Sequence, residues 1–160
     1  MDKKQLVKNV ISYLEDNLAE ALIAANNAHK AATDDQSVAE TQYDTLAIEP
    51  SYLAEGMSRR INEFQLAIKI YKDLSLREFT HDDAAALGAM IQLAKDKARK
   101  HWFFIGPNTG GFHAFIEEQS ITVITPQSPM GKALLGKYVD DDVYMKQGNN
   151  EMNDVIISIY

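Results

Sequence analysis

Three acidic residues near the middle of the first half of the chain, Asp34, Asp35 and Glu40, are of the type that metal chemistry uses. Carboxylate oxygens suit a hard cation such as Mg²⁺, which takes one or two carboxylates and keeps several waters. The same three also fit a plainer role. Ser37-Val38-Ala39-Glu40 has the S-x-x-E spacing of a helix capping box, and acids just before a helix favour its positive end. The four histidines, His29, His81, His101 and His113, show no metal-ligand spacing, and cysteine is absent, which excludes disulfides, thiol nucleophiles and cysteine-bound zinc. Gly106–Gly111 lacks the GK[ST] ending of a phosphate loop, and Gly131-Lys132-Ala133 lacks the rest of that motif. No Ser-His-Asp set can be recognised from spacing.

A second group of interest is Ser128-Pro129-Met130, where a cap residue and a proline open a short helix that Gly136 is placed to stop. Asp140-Asp141-Asp142 reads as a turn between strands, since a calcium loop needs longer, regularly spaced ligands. Trp102-Phe103-Phe104 reads as core filling.

The elements that position these groups fall into two textures. Val7, Ile11, Leu14, Leu18, Ala21, Ala25 and Ala28 recur at steps of four and three, the seam of a coiled-coil helix. That helix is expected over Lys3–Lys30, roughly 40 Å long. A second ladder, Tyr43, Ala47, Pro50, Ala54, Met57, Ile61, Phe64, Ile68 and Tyr71, follows the Thr33–Ser37 turn. Large residues occupy the outer ends of both ladders and small ones the turn end. Two antiparallel helices built this way thin toward an acidic tip. Pro50 removes a backbone donor and predicts a kink or break near Ile48–Pro50.

After Leu74 the periodicity changes. Residues 75–83 read as a linker between a coiled coil over 1–74 and a second domain over 84–160. Short apolar runs at Ala89–Leu93, Lys100–Ile105, Gly111–Phe115, Ser120–Thr125, Asp142–Lys146 and Val155–Tyr160 alternate with turn signals and predict strands of a small antiparallel β unit. The fold class expected is therefore α+β.

Of the 160 residues, 46% are hydrophobic and 24% charged, the composition of a folded domain rather than a disordered one. Net charge is −7, split −4 over residues 1–74 (8 Lys+Arg, 12 Asp+Glu) and −3 over 75–160 (8 against 11). Neither half has the basic excess of a protein that grips nucleic acid unaided, so a protein partner fits better than free DNA. No apolar run reaches membrane-spanning length and the first residues do not resemble a signal peptide, which predicts a cytoplasmic location.

The run Ile124-Thr125-Pro126-Gln127-Ser128-Pro129-Met130-Gly131-Lys132-Ala133-Leu134-Leu135-Gly136-Lys137, followed by Asp140-Asp141-Asp142-Val143, resembles the "SP-[hydrophobic]-x-x-ALxGK…GDEV" stretch of the Gre family of transcription factors. Glu40-Thr41-Gln42-Tyr43-Asp44, Tyr52-Leu53-Ala54-Glu55-Gly56 and Arg60-Ile61 are similar to that family's "ENAEYDAA…GFIEGRI" stretch. The resemblance covers most of the chain, in the right order. It implies an antiparallel coiled-coil hairpin followed by an FKBP-like antiparallel β domain with one short helix. It implies an accessory factor, not an enzyme, whose partner is bacterial RNA polymerase, with Ser128, Pro129 and Met130 on the docking surface. The coiled coil would enter the polymerase's secondary channel, and Asp34, Asp35 and Glu40 at the tip would help hold a second Mg²⁺ belonging to the polymerase. Hydrolysis of backtracked RNA would follow, with only indirect contact to nascent RNA.

The tip departs from the family's D-x-x-E pattern. Counting back from Tyr43, the family's acidic positions hold Ala39 and Gln36. One residue is a turn of about 100° on a helix, so the shifted acids open a second reading, a channel-binding regulator or competitor that does not promote cleavage. A prolyl isomerase, which needs an aromatic-lined apolar pocket, and a coiled-coil dimeriser, with ladders paired between chains, are further rivals. A monomer is expected, because each ladder has an intramolecular mate.

Overall fold

An apolar stripe on a long helix must be covered, and the computed structural model of the chain shows what covers it. The structure describes residues 2–35 and 48–160, with side chains for 2–31 and 53–160. Two helices come first, α1 (Lys3–Asp35) and α2 (Ile48–Lys72). Six strands and a third helix follow: β1 (Met90–Leu93), β2 (His101–Ile105), β3 (His113–Ile116), β4 (Gln119–Ile124), α3 (Pro129–Leu134), β5 (Asp142–Gln147) and β6 (Asn150–Ile159). The chain is α+β and divides into two compact units, one of residues Ile11–Lys72 and one of Met1–Val10 with Asp73–Tyr160.

In the helical unit, the ladder positions Ile11, Leu14, Leu18, Ala21, Ala25 and Ala28 are buried or half-buried, while nearly all positions between them are exposed. The mate is α2, whose Met57, Ile61, Phe64, Ile68 and Tyr71 behave the same way. Glu15 meets Lys72 at 3.1 Å, Ala21 and Ala24 share a cleft with Met57, and Ala28 shares one with Leu53 and Ala54. Partners descend in α2 as they ascend in α1, so the pair is antiparallel. Burial falls along it, from Leu14 and Tyr71 to the alanines, and Ala54 is exposed.

Helix α1 is five residues longer than the expected Lys3–Lys30, and Ala31-Ala32 in the added turn are strong helix formers. It starts on a cap absent from the expectations, with Asp2 Oδ1 accepting from the Gln5 N–H at 2.9 Å. The described part of α2 opens at Ile48, so the break expected near Ile48–Pro50 falls at the limit of the described residues. Tyr43, Ala47 and the expected cap at Ser37 lie outside them.

The first eight residues of α1, Lys3–Val10, count with the sheet unit, where Leu6 and Val10 are fully buried. The stretch read as a linker is tied down as well. Phe79 enters the core, and Asp83 accepts from Thr80 N and Oγ1 at 2.8 Å each and pairs with Arg77 at 3.0 Å.

The strand order is β3-β4-β2-β1-β6-β5. Every strand expected from the apolar runs is present, but the sheet is mixed rather than antiparallel, because β2 and β4 run parallel. The cause is a crossover. Residues 106–112 carry the chain past one strand position, β3 takes the edge, and β4 returns between β3 and β2. The turn in that return holds Glu117 and Glu118 at φ 50° and 65°. The core on one sheet face gathers Ile91, Ile105, Ile124, Leu134, Val143 and Ile156. At roughly 25 cal/mol per Å² of apolar surface, such burial is the main force holding the unit together.

Candidate functional site

Helix α3 presents the segment singled out by the sequence, and its geometry separates residues that build it from residues it displays. Ser128 is the N-cap: its Oγ accepts from Gly131 N–H at 3.0 Å and donates to the Thr125 carbonyl at 2.7 Å. Pro129 occupies the first helical position, where its missing N–H removes no intrahelical bond. Gly131 is buried against Thr125, and a Cβ there would sit 1.8 Å from the Thr125 carbonyl oxygen. Only glycine fits this approach.

The helix stops at a left-handed Gly136, as expected, and the stop takes the form of a tight turn. Leu135 is extended at φ −60°, ψ 130°, Gly136 follows at φ 77°, and Lys137 N–H returns to the Leu134 carbonyl at 3.1 Å. These are the angles of a type II turn, which needs glycine at its third position. The turn is bonded to the segment after the former linker, with Gly136 N–H to Ala85 O at 2.8 Å and Ala85 N–H to Lys137 O at 2.7 Å.

The exposed residues of this segment are Pro129, Lys132, Leu135, Gly136 and Tyr138, while Met130 and Ala133 turn inward against the core. Of the three expected docking residues, then, Pro129 is displayed, Ser128 is committed to the cap, and Met130 packs beneath. Lys132, Leu135 and Tyr138 join Pro129 outside. Their three-residue spacing from Pro129 is the signal that could have found them.

Asp34 and Asp35 lie in the last described turn of α1, and Glu40 lies outside the described residues. Among the described residues, no cluster of three His, Cys, Asp or Glu side chains is placed to hold a metal. Asp140 and Asp141 lie in a turn, but it leads from α3 into β5 rather than between two strands, and Asp142 already opens β5. Asp140 sits at φ 70°, and the Asp141 carboxylate accepts from Tyr138 N–H at 2.8 Å.

Two histidines unrelated by spacing are brought together. His101 Nε2 lies 2.8 Å from Thr122 Oγ1, which lies 2.9 Å from His113 Nδ1. Burial lowers the pKa of His101, helped by the His113 charge and opposed by Asp96. The backbone N–H of His101, with that of Lys100, holds the Asp96 carboxyl below its usual range. Lys3 is buried, donates to Arg77 O at 2.7 Å, and lies 4.9 Å from the rings of Phe79 and Tyr160. Its burial lowers its pKa to about 8. A cleft of about 180 Å³ beside it is lined by Asp2, Lys4, Arg77 and Glu78 among others. No described helix is long and apolar enough to cross a membrane.

These elements define a helical hairpin joined to a mixed-sheet unit that carries one capped surface helix. A scan against protein-family profiles finds no match, and a comparison with curated protein sequences finds none. Among solved structures, the chain is similar to the GreA factor homolog 1 (Gfh1) protein of Thermus thermophilus, at 17% identity and a TM-score of 0.37, covering 94% of each chain. It is also similar to Thermus aquaticus Gfh1, at 18% identity and a TM-score of 0.38, covering 93% of this chain and 92% of that one.

Proposed function

We propose that this protein binds bacterial RNA polymerase at its secondary channel and regulates transcript elongation as an accessory factor. The observation that carries the reading is the Ser128–Lys137 run. Its Gre-like residues each have a structural task (cap, first-turn proline, obligatory glycine, type II turn), and together they hold Pro129, Lys132 and Leu135 outward. The motif builds a surface, and that surface is the proposed dock. The FKBP-like kinship of the sheet unit, a monomeric state and a cytoplasmic location belong to the same proposal.

In this reading the antiparallel helices carry Asp34, Asp35 and Glu40 to the polymerase active centre. A second Mg²⁺ there would supply the two-metal clamp on the attacking and leaving oxygens of phosphodiester hydrolysis. The three acids would contribute carboxylate oxygens, and the protein needs no cofactor of its own.

A second reading keeps the docking and drops the cleavage. It is favoured by Ala39 and Gln36 at the family's acidic positions. Purified backtracked polymerase complexes separate the two when the protein is added with Mg²⁺. Shortening of the transcript from its 3′ end, abolished by Asp34→Ala/Asp35→Ala/Glu40→Ala, establishes a cleavage factor. Unchanged transcripts, with displacement of a working cleavage factor, establish a regulator. Neither effect would sink both readings.

A further inference from the structure

We infer that the exposed end of the core-side face of β2, β4 and β3, beyond Ile105 and Ile124, is a binding site for single-stranded RNA, separate from the proposed polymerase dock. The register sets six side chains of one face in two rows of three. His101, Ser120 and Phe115 form one row; Phe103, Thr122 and His113 form the other. Rings stand on both outer strands and hydroxyls stand on the middle one. Strands lie about 4.8 Å apart, so the ring columns are separated by about 10 Å.

Phe115 is 74% exposed, the most exposed large hydrophobic residue among those described. His113 beside it on the edge strand is also exposed. The opposite column is half-buried, with the His101 and Phe103 ring centroids 4.6 Å apart. Thr122 Oγ1 bridges the two imidazoles and so fixes the His101 and His113 rings in place.

An apolar helix laid on this face would strip water from the Ser120 hydroxyl and from the ring nitrogens of His101 and His113 that Thr122 does not bond, without replacing those hydrogen bonds, a costly burial. Unpaired bases suit the groups this face displays, the Phe115 and His113 rings and the Ser120 hydroxyl, while Phe103 packs partly against the core. Their faces stack on aromatic and histidine rings, and their edges and 2′-hydroxyls have donors and acceptors in the middle column.

The charge at one end of this face fits a phosphate backbone. Lys95, Lys97, Arg99 and Lys100 fall within six residues of the loop between β1 and β2, and all are exposed. Lys100 O accepts from Ser120 N–H at 2.7 Å, which joins the loop to the start of the middle strand. The loop's one acid, Asp96, turns to the backbone and accepts from Lys100 and His101 N–H at 2.7 Å each. Arg99 is held in the left-handed region at φ 52°. Lys100 faces Glu118 of the neighbouring turn at 3.9 Å, whereas Lys95, Lys97 and Arg99 make no ion pair among the described residues. Three free cations are too few for a tight complex in a chain of net charge −7. They set a weak, salt-dependent site with a slope of about −2 in log K against log salt.

The test is fluorescence anisotropy of the full chain with a labelled, unstructured 12-nucleotide RNA at low ionic strength. Binding on the order of 10–100 µM is expected, with the duplex of the same sequence far weaker. Phe115→Ala should weaken binding about tenfold, the loss of one stacked base. Lys97→Ala/Arg99→Ala should flatten the salt slope. Phe115→Trp should bind at least as well, with its fluorescence quenched by RNA, which separates a lost contact from a lost fold. Equal binding of duplex or of the DNA strand, no effect of Phe115→Ala, or no binding at 1 mM would each overturn the assignment. The readout uses no polymerase, so it stands or falls apart from the proposed function.

Discussion

At the scale of the residue, two glycines in this chain are predicted to respond in opposite ways to the same change. Gly131 lies under the Thr125 carbonyl, so Gly131→Ala forces α3 off its seat and should cost at least about 2 kcal/mol. Gly56 sits inside α2 with nothing within 4 Å of its missing Cβ, so Gly56→Ala should stabilise by about 0.5–1 kcal/mol. Urea melts of both variants check the pair. Lys3 offers a pH signature. Its pKa is lowered from 10.5 to about 8 by burial, so between those values the unfolded chain binds more protons than the folded one. Stability should therefore rise with pH from about 8 toward 10.5 at this site, and below 8 the site contributes no slope. Urea midpoints from pH 7.5 to 9.5 should show the rise, and Lys3→Met should remove it. Absence of a difference between the two proteins would show that Lys3 is not buried as a charge.

At the scale of the element, the β3–β4 turn carries strain that can be relieved. Glu117 and Glu118 both sit at positive φ, the angles of a type I′ turn that asparagine and glycine adopt at little cost. Glu117→Asn/Glu118→Gly should stabilise by about 1–2 kcal/mol. Losing the exposed 3.9 Å Lys100–Glu118 pair subtracts little from this. A thermal shift upward by a few degrees checks it, and a shift downward would mean that the glutamates make contacts worth more than the strain.

The same hairpin shows where sequence reading stops. All six strands are legible because runs such as Ser120–Thr125 are short, apolar and bounded by turn residues. Their pairing is not, since nothing local in β4 states that its second neighbour is β2 and runs parallel. The α3 start is legible for the opposite reason: Ser128 and Pro129 act within three residues of themselves. Its stop at Gly136 is legible as a conformation, but the type II turn depends on Ala85, some fifty residues away. The Asp2 cap is a D-x-x-Q pattern at the very start of the chain and is as local as the Ser128 cap. The His101–Thr122–His113 bridge needs the register of three strands and has no linear signature. Of the candidate sites, the α3 segment is readable residue by residue, while the direction of the tip acids is not, because one residue of shift turns a helix side chain by about 100°.

At the scale of the molecule, charge divides with the two units. Residues 11–72 hold 5 Lys+Arg against 10 Asp+Glu, a net −5, which leaves −2 for the rest of the chain. A helical unit so acidic repels its own copies and suits a partner that presents cations, whereas the sheet unit is closer to neutral and displays Pro129, Lys132, Leu135 and Tyr138. If one unit docks and the other acts, the two functions should separate in a titration. Pro129→Glu places a charge on the proposed dock at a helix position where an acid is favourable, so the fold should persist. Its dissociation constant for polymerase should rise about tenfold or more, with the effect on the transcript at saturating protein unchanged. Asp34→Asn/Asp35→Asn/Glu40→Gln should do the reverse, keeping the dissociation constant within about threefold while changing the effect at saturation. Docking and action are then thermodynamically distinct, with the dock raising the local concentration of the tip at its target. A tip variant that lost affinity as strongly as the dock variant would place the main binding energy in the helical unit and overturn the division of labour.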